Sequence, residues 1–233
     1  MNKQVENTLT EPEKYILSLN NISKEYIQAG SNFQVLKNFS LNVKHGESVA
    51  IIGASGTGKS SLLHIAGLLD NNYQGQVCIN GKAINRNGFG QNLIRLKNIG
   101  FVYQQHRLLS NFSARENIAL PARLNGQSDK EAYARADELL AKLSLEAKSF
   151  SLPGELSGGQ QQRVAIARSL ICAPSLILAD EPTGNLDPEN AAIVTDLLLK
   201  TAKENNTAII MVTHNLEIAR KLDRIIELLQ CQN

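Results

Sequence analysis

Gly53-Ala54-Ser55-Gly56-Thr57-Gly58-Lys59-Ser60 is the stretch whose reading decides the fold. It fits G-x-x-x-x-G-K-[ST], a loop that cradles phosphate. The residues before it, Glu47 to Ile52, read as a short apolar strand, and from Ser61 to Leu69 apolar residues recur at helical spacing. Strand, glycine-rich loop and helix form the context that gives the pattern its meaning. Glycines at 53, 56 and 58 let the backbone turn tightly and bring its N–H groups to an anion. The helix that follows adds the positive end of its dipole. Lys59 is placed for β- and γ-phosphates, and the Ser60 hydroxyl for Mg²⁺. The reading is a nucleotide-binding protein.

The rest of the chain is consistent with that loop. At 233 residues it suits one large α/β domain, or a core with a smaller subdomain. A net charge of +2, with no block of like charges, gives no sign of a nucleic-acid surface. No segment approaches the roughly 18 apolar residues that span a bilayer. The start, Met1 to Pro12, is polar and reads as a frayed tail without the apolar stretch of a secretory signal. Three cysteines (Cys78, Cys172, Cys231) without C-x-x-C indicate neither a disulfide framework nor a zinc site.

In chain order, Tyr15 to Leu19 and Val35 to Val43 read as strands joined by a polar loop, Gln28 to Gln34, containing Gly30. Tyr73 to Asn85 reads as a strand pair, with Gln76 to Asn80 ahead of a turn at Asn80-Gly81. Asn85 to Gln91 reads as a loop, and Ile99 to Tyr103 as a strand ending at Gln104. The middle is helical: Ser113 to Leu124, Ser128 to Leu143 with Glu131 completing a cap, and about Gly159 to Cys172. Alternation then resumes with strand Leu176 to Ala179, helix Glu189 to Glu204 and strand Thr207 to Val212. Helix Leu216 to Leu222 and strand Arg224 to Leu229 complete it. The pattern predicts an α/β sheet with helices on its faces and a helical insertion over about 105–172.

Two more constellations carry chemistry. Leu176-Ile177-Leu178-Ala179-Asp180-Glu181 is an apolar strand ending in two carboxylates. Beside a phosphate loop, Asp180 suits Mg²⁺, and Glu181 suits a base that activates the attacking water. Leu156-Ser157-Gly158-Gly159-Gln160 opens a helix with a second anion-binding turn. A domain that already owns one such loop has no evident use for a second, unless it caps a nucleotide held by another copy.

With these residues the chain resembles the ATP-binding subunits of ABC transporters, from about Leu17 to Leu229. The resemblance implies a P-loop NTPase of ABC type: a RecA-like α/β core, an antiparallel β subdomain and an inserted α-helical subdomain. Residues 14–233 would form that single domain, after the tail at 1–13. ATP would be held by Gly53, Ala54, Ser55, Gly56, Thr57, Gly58, Lys59, Ser60 and Ser61, with Mg²⁺ near Ser60, Gln104 and Asp180. Gln104 matches the glutamine that senses the metal and the attacking water, and His214 the switch histidine at the γ-phosphate. Asp187, in Asn185-Leu186-Asp187, matches an acid that reaches across a dimer. Tyr26 matches the aromatic that stacks on adenine, with Tyr15, Phe33 and Phe39 nearby. By the same resemblance two copies sandwich two ATP molecules, each site joining Gly53–Ser60 of one copy to Ser157, Gly158, Gly159 and Gln160 of the other.

Within the family, Leu62-Leu63-His64-Ile65-Ala66-Gly67-Leu68-Leu69-Asp70 and Glu116-Asn117-Ile118-Ala119-Leu120-Pro121 resemble the lipoprotein-releasing branch. That implies two integral inner-membrane subunits as partners, a peripheral place on the cytoplasmic side, and no direct contact with cargo or nucleic acid. Cell-division and macrolide-export members are the rival branches, and a non-transport ATPase is a remoter one. Gln105 and Ser110 depart from the usual aromatic and proline of this segment. The chain also ends soon after Leu229, where relatives turn into a further strand, so a less stable edge is expected.

Overall fold

The computed structural model describes residues 15–28, 31–86, 88 and 90–231; the expected tail and Gly30 lie outside the described residues. Two sheets organise them. Strands β1 (Tyr15–Gln28), β2 (Ser31–Lys44), β4 (Gln74–Ile79) and β5 (Lys82–Ala83) form an antiparallel sheet ordered β2-β1-β4-β5. Strands β3 (Ser48–Ile52), β6 (Ile99–Tyr103), β7 (Leu176–Asp180), β8 (Ala208–Val212) and β9 (Arg224–Glu227) form a parallel sheet ordered β6-β7-β8-β3-β9. The apolar run Leu176–Ala179 is a buried interior strand paired on both edges, as its composition predicts.

Side chains alternate between two cores with the period of a strand. Ala50, Ile177, Ala179, Ile209 and Met211 pack with the helical segment, while Val49, Ile51, Leu176, Leu178, Ile210 and Val212 pack with α1 (Lys59–Ala66) and the antiparallel sheet. Between β6 and β7 the chain forms α3 (Ala114–Leu124), α4 (Asp129–Lys142) and α5 (Gly158–Leu170). Each opens with a reciprocal cap: Ser113 with Glu116, Ser128 with Glu131, and Ser157 with Gln160. After β7 come α6 (Pro188–Glu204), β8, the short α7 (Leu216–Ala219) and β9.

Two expectations need correction. Of the polar stretch expected as a loop, the described residues Gln28 and Ser31–Gln34 are strand: pairing of β1 with β2 continues from Tyr15↔Lys44 to Gln28↔Ser31. Four register shifts along the pair break the period-two pattern. The second difference is helix α2 (Gln91–Asn98), which follows the expected loop. It opens on Gly90 at φ 103 without a side-chain cap, so no cap signal marks its start, and none of its side chains is fully buried. The turn at Asn80-Gly81 is confirmed, with φ of 50 and 70 at the two residues.

Close contact of β6 with α5 depends on Gly100. A Cβ there would lie 2.4 Å from the Ser169 carbonyl oxygen, a backbone atom that cannot swing aside. Gly100→Ala should destabilise the fold by about 1–3 kcal/mol, as overpacking does, measured as a lower urea midpoint at unchanged slope.

Acid should weaken the caps of α3 and α4. Hydrogen bonds from the Ser113 backbone and hydroxyl hold the Glu116 carboxyl below its ordinary value, and those from the Ser128 hydroxyl and backbone do the same for Glu131. A carboxyl with a depressed folded pKa stabilises fully above its unfolded value, about 4.3, and loses that contribution as pH falls through the folded one. Stability should therefore drop from about pH 4.3 downward, and Ser113→Ala with Ser128→Ala should flatten this acid limb in urea titrations. The cap of α5 uses the neutral Gln160, and Ser157→Ala should leave the limb unchanged.

Candidate active site

The parallel sheet delivers the expected residues to one edge. Tyr103 pairs with Asp180, Asp180 with Val212, and Val212 with Ile51. The residues that follow these strand ends are Gln104, Glu181, His214 and the loop from Gly53. Four separate stretches of sequence therefore emerge side by side, as parallel strands with common register require.

Gly53 has φ 155 and packs where a Cβ would lie 2.5 Å from the Leu228 carbonyl oxygen. Gly58 has φ 92, and a Cβ there would lie 2.8 Å from the Val35 carbonyl oxygen. Only glycine fits both. Helices α3 to α6 open with side-chain caps, but Gly58 supplies none to α1, so its first N–H groups remain available to an anion. Lys59 folds over the loop, its Nζ donating to the carbonyls of Gly53 (2.9 Å) and Ala54 (2.7 Å). A cleft of about 350 Å³ beside it is lined by Tyr26, Phe33, Val35, Gly56, Gly58, Lys59, Ser60 and Ser61. The cradle, its lysine and the aromatic wall fit a nucleotide.

Ser60 Oγ donates to Asp180 Oδ1 at 3.3 Å, which joins the two residues expected at Mg²⁺. Two oxygen donors at a phosphate loop fit this hard ion, which otherwise keeps water and phosphate oxygens. One residue on, Glu181 sits at φ 45, its N–H bonded to the Val212 carbonyl at 3.0 Å. A left-handed non-glycine residue at a strand end is strained backbone of the kind concentrated at functional sites. Its Oε2 lies 2.9 Å from His214 Nδ1, with the carboxylate 19% and the imidazole 73% exposed.

Gln104 is held by Asn185 in both directions. Its Nε2 donates to Asn185 Oδ1 and Asn185 Nδ2 donates to its carbonyl, each at 3.1 Å. Two residues on, Asp187 caps α6, accepting from the Asn190 N–H at 3.0 Å and its side-chain amide at 2.7 Å. These bonds hold the Asp187 carboxyl below its ordinary value. Tyr26 meets Ser61 hydroxyl to hydroxyl at 3.1 Å. Ser157 and Gln160 bond to each other at the mouth of α5, and none of Ser157–Gln160 lines the cleft at Lys59. Strand register and these bonds set Gln104, Asp180, Glu181 and His214 beside the loop from Gly53, while Ser157 and Gln160 bond at the mouth of α5 and Asp187 at the cap of α6.

A sequence profile described as ABC transporter matches residues 36–184. The chain belongs to the ABC transporter family. It is 54% identical over 91% of its length to the lipoprotein-releasing system ATP-binding protein LolD of Rickettsia bellii, spanning 95% of that relative. It is 45% identical over 91% of its length to LolD 2 of Caulobacter vibrioides, spanning 94%. Among solved structures it is 40% identical to the ATP-binding cassette MJ0796 in a dimeric post-hydrolysis state bound to ADP and Pi. That match has a TM-score of 0.83 and covers 91% of this chain and 94% of that one.

Membership in this family gives added meaning to contacts that sequence reasoning did not single out. Helix α5, which starts with the Ser157 turn, grips the segment after Gln104. Arg168 donates from its two terminal nitrogens to the carbonyls of Arg107 (2.7 Å) and His106 (2.8 Å), and burial pushes its pKa down. Buried Asn117 donates to the carbonyls of Leu109, Phe112 and Ser113 and accepts from the Leu109 N–H, fixing the loop that carries Ser110. The Arg168 contacts span about sixty residues, and nothing in local residue spacing announces them.

Proposed function

We propose that this chain is the ATP-hydrolysing subunit of a lipoprotein-releasing ABC transporter. The observation that carries the ATPase reading is the joint arrival of Lys59, Ser60, Asp180, Glu181 and His214 at one sheet edge. Lys59 exchanges its loop carbonyls for β- and γ-phosphate oxygens. Ser60 and Asp180 would hold Mg²⁺, which would supply positive charge against the phosphates. Glu181, oriented by His214, accepts the proton of the attacking water. Tyr26 stacks on adenine, and Ser55 and Thr57 belong to the loop whose backbone faces the phosphates.

The turn Ser157–Gln160 and Asp187 complete the site of a second copy. Two ATP molecules between two copies close the dimer, and hydrolysis removes the γ-phosphate bridge. Residues 14–233 act as one ABC domain in which the helical segment 105–172 carries this motion to the membrane. A groove of about 490 Å³ lies between β6, α2, α3 and α5, lined in part by Arg95, Phe101, Tyr103, Leu124 and Arg168. It receives the cytoplasmic part of two inner-membrane subunits of LolC/LolE type, which hold the chain peripherally. No helix among the described residues is long and apolar enough to cross a membrane. The LolD relatives, alike over nine-tenths of the chain, support this branch over the cell-division and macrolide-export ones.

Glu181→Gln should retain ATP affinity within about twofold and lower turnover at least about 100-fold, the scale of losing a general base. Normal steady-state turnover would remove Glu181 from that role. The same variant, purified from its own membranes with ATP, should bring down two different lipoprotein-releasing membrane subunits. Recovery of a single division-type partner would overturn the branch assignment and leave the ATPase intact.

A further inference from the structure

Tyr26 stands on a weakly supported part of the fold. Pairing of β1 with β4 ends at Ser23↔Gln74, so beyond Ser23 the only strand paired with β1 among the described residues is β2. Register shifts fall between Ile22 and Lys24 and between Lys24 and Glu25, just where the third strand is lost. A two-stranded ribbon is marginal by itself, and bulges loosen it further. An aromatic ring that must meet a nucleotide base with fixed height and tilt needs another anchor.

Lys24 supplies it. Its side chain is 3% exposed, and Nζ lies 2.8 Å from Asp70 Oδ2 and 2.6 Å from the Asn72 carbonyl oxygen. The same ammonium stands 4.7 Å from the centroid of the Tyr26 ring. Asp70 is itself oriented by the Asn72 N–H at 2.8 Å. These three neighbours offset the desolvation of the buried ammonium. Asp70 and Asn72 follow the C-terminal end of α1, the helix whose first turn carries Lys59, Ser60 and Ser61. Tyr26 meets the other end of this helix through Ser61. The ribbon is thus clamped to both ends of the phosphate-binding helix, and the clamp contacts the ring itself.

We propose that Lys24 is a positioning residue for the nucleotide base. It fixes Tyr26 relative to the phosphate loop and places a cation against one ring face, leaving the other for the base. The proposal rests on the reading of Tyr26 as the adenine-stacking residue. The ammonium draws electron density from the ring, which strengthens stacking with an electron-rich purine. Phosphate recognition, centred on Lys59 and the first turn of α1, does not involve it.

The test compares equilibrium binding of Mg-ATP with that of magnesium tripolyphosphate, which has the phosphates and no base. Lys24→Met should weaken ATP by about three- to tenfold, leave tripolyphosphate within about twofold, and raise the KM for ATP with kcat retained. Adding Lys24→Met to Tyr26→Leu should weaken ATP no further, since the ring it positions is gone. Lys24→Met with Asp70→Asn removes the stranded carboxylate and should show the same ligand selectivity if the single variant folds poorly. Equal weakening of both ligands, independent losses in the Tyr26→Leu background, or unchanged ATP affinity beside a weakened Tyr26→Leu would each overturn the proposal. Unchanged ATP affinity in Tyr26→Leu itself would overturn the stacking reading instead, and the proposal with it.

Discussion

Parallel register at one sheet edge is the constraint on which the site depends. Hydrogen bonding fixes Tyr103, Asp180, Val212 and Ile51 at the same level across four strands. Whatever follows each of them must emerge at that level. A slip of one residue in β7 would turn Asp180 away from Ser60 and send Leu176 and Leu178 to the other core, because side chains alternate faces. The apolar burial of β7 thus secures the placement of the carboxylates that follow it. The strain at Glu181, φ 45, is sustained by its N–H bond to the Val212 carbonyl, part of the same alignment.

From this edge, specific contacts lead outward in two directions. One runs from Gln104 to Asn185 and on to Asp187 at the cap of α6. The other runs from Tyr103 and the following segment to α5. Gly100 allows the close approach of strand and helix, and Arg168 holds the carbonyls of His106 and Arg107. The Ser157 turn at the start of α5 is therefore joined mechanically to the segment after Gln104 in its own chain. On the reading that Ser157–Gln160 meets the nucleotide of a second copy, closure of that site would pull on residues lining the groove beside β6.

The glycines, Lys59, the carboxylates after β7 and the Ser157 turn were legible because each is a local pattern with a local physical cause. A phosphate loop needs glycine at fixed offsets, a buried parallel strand needs a continuous apolar run, and a capping box spans four residues. The hairpin beyond Leu19 was hidden by bulges, and α2 by its uncapped start. Asn185, Arg168 and Lys24 act on partners 46 to 81 positions away (Asp70 from Lys24, Gln104 from Asn185), so their roles exist only after folding. The tie of the Ser157 turn to a second copy is a proposal that one chain's contacts do not carry; it is supported by the dimeric state of the similar cassette MJ0796.

That tie is the central claim, and particle mass measures it directly. Light scattering of the Glu181→Gln chain with Mg-ATP should report a doubling of mass that disappears on adding Ser157→Arg, while ATP affinity of the single copy stays within about twofold. Persistence of the doubled mass in the Ser157→Arg chain would contradict a nucleotide site shared between copies.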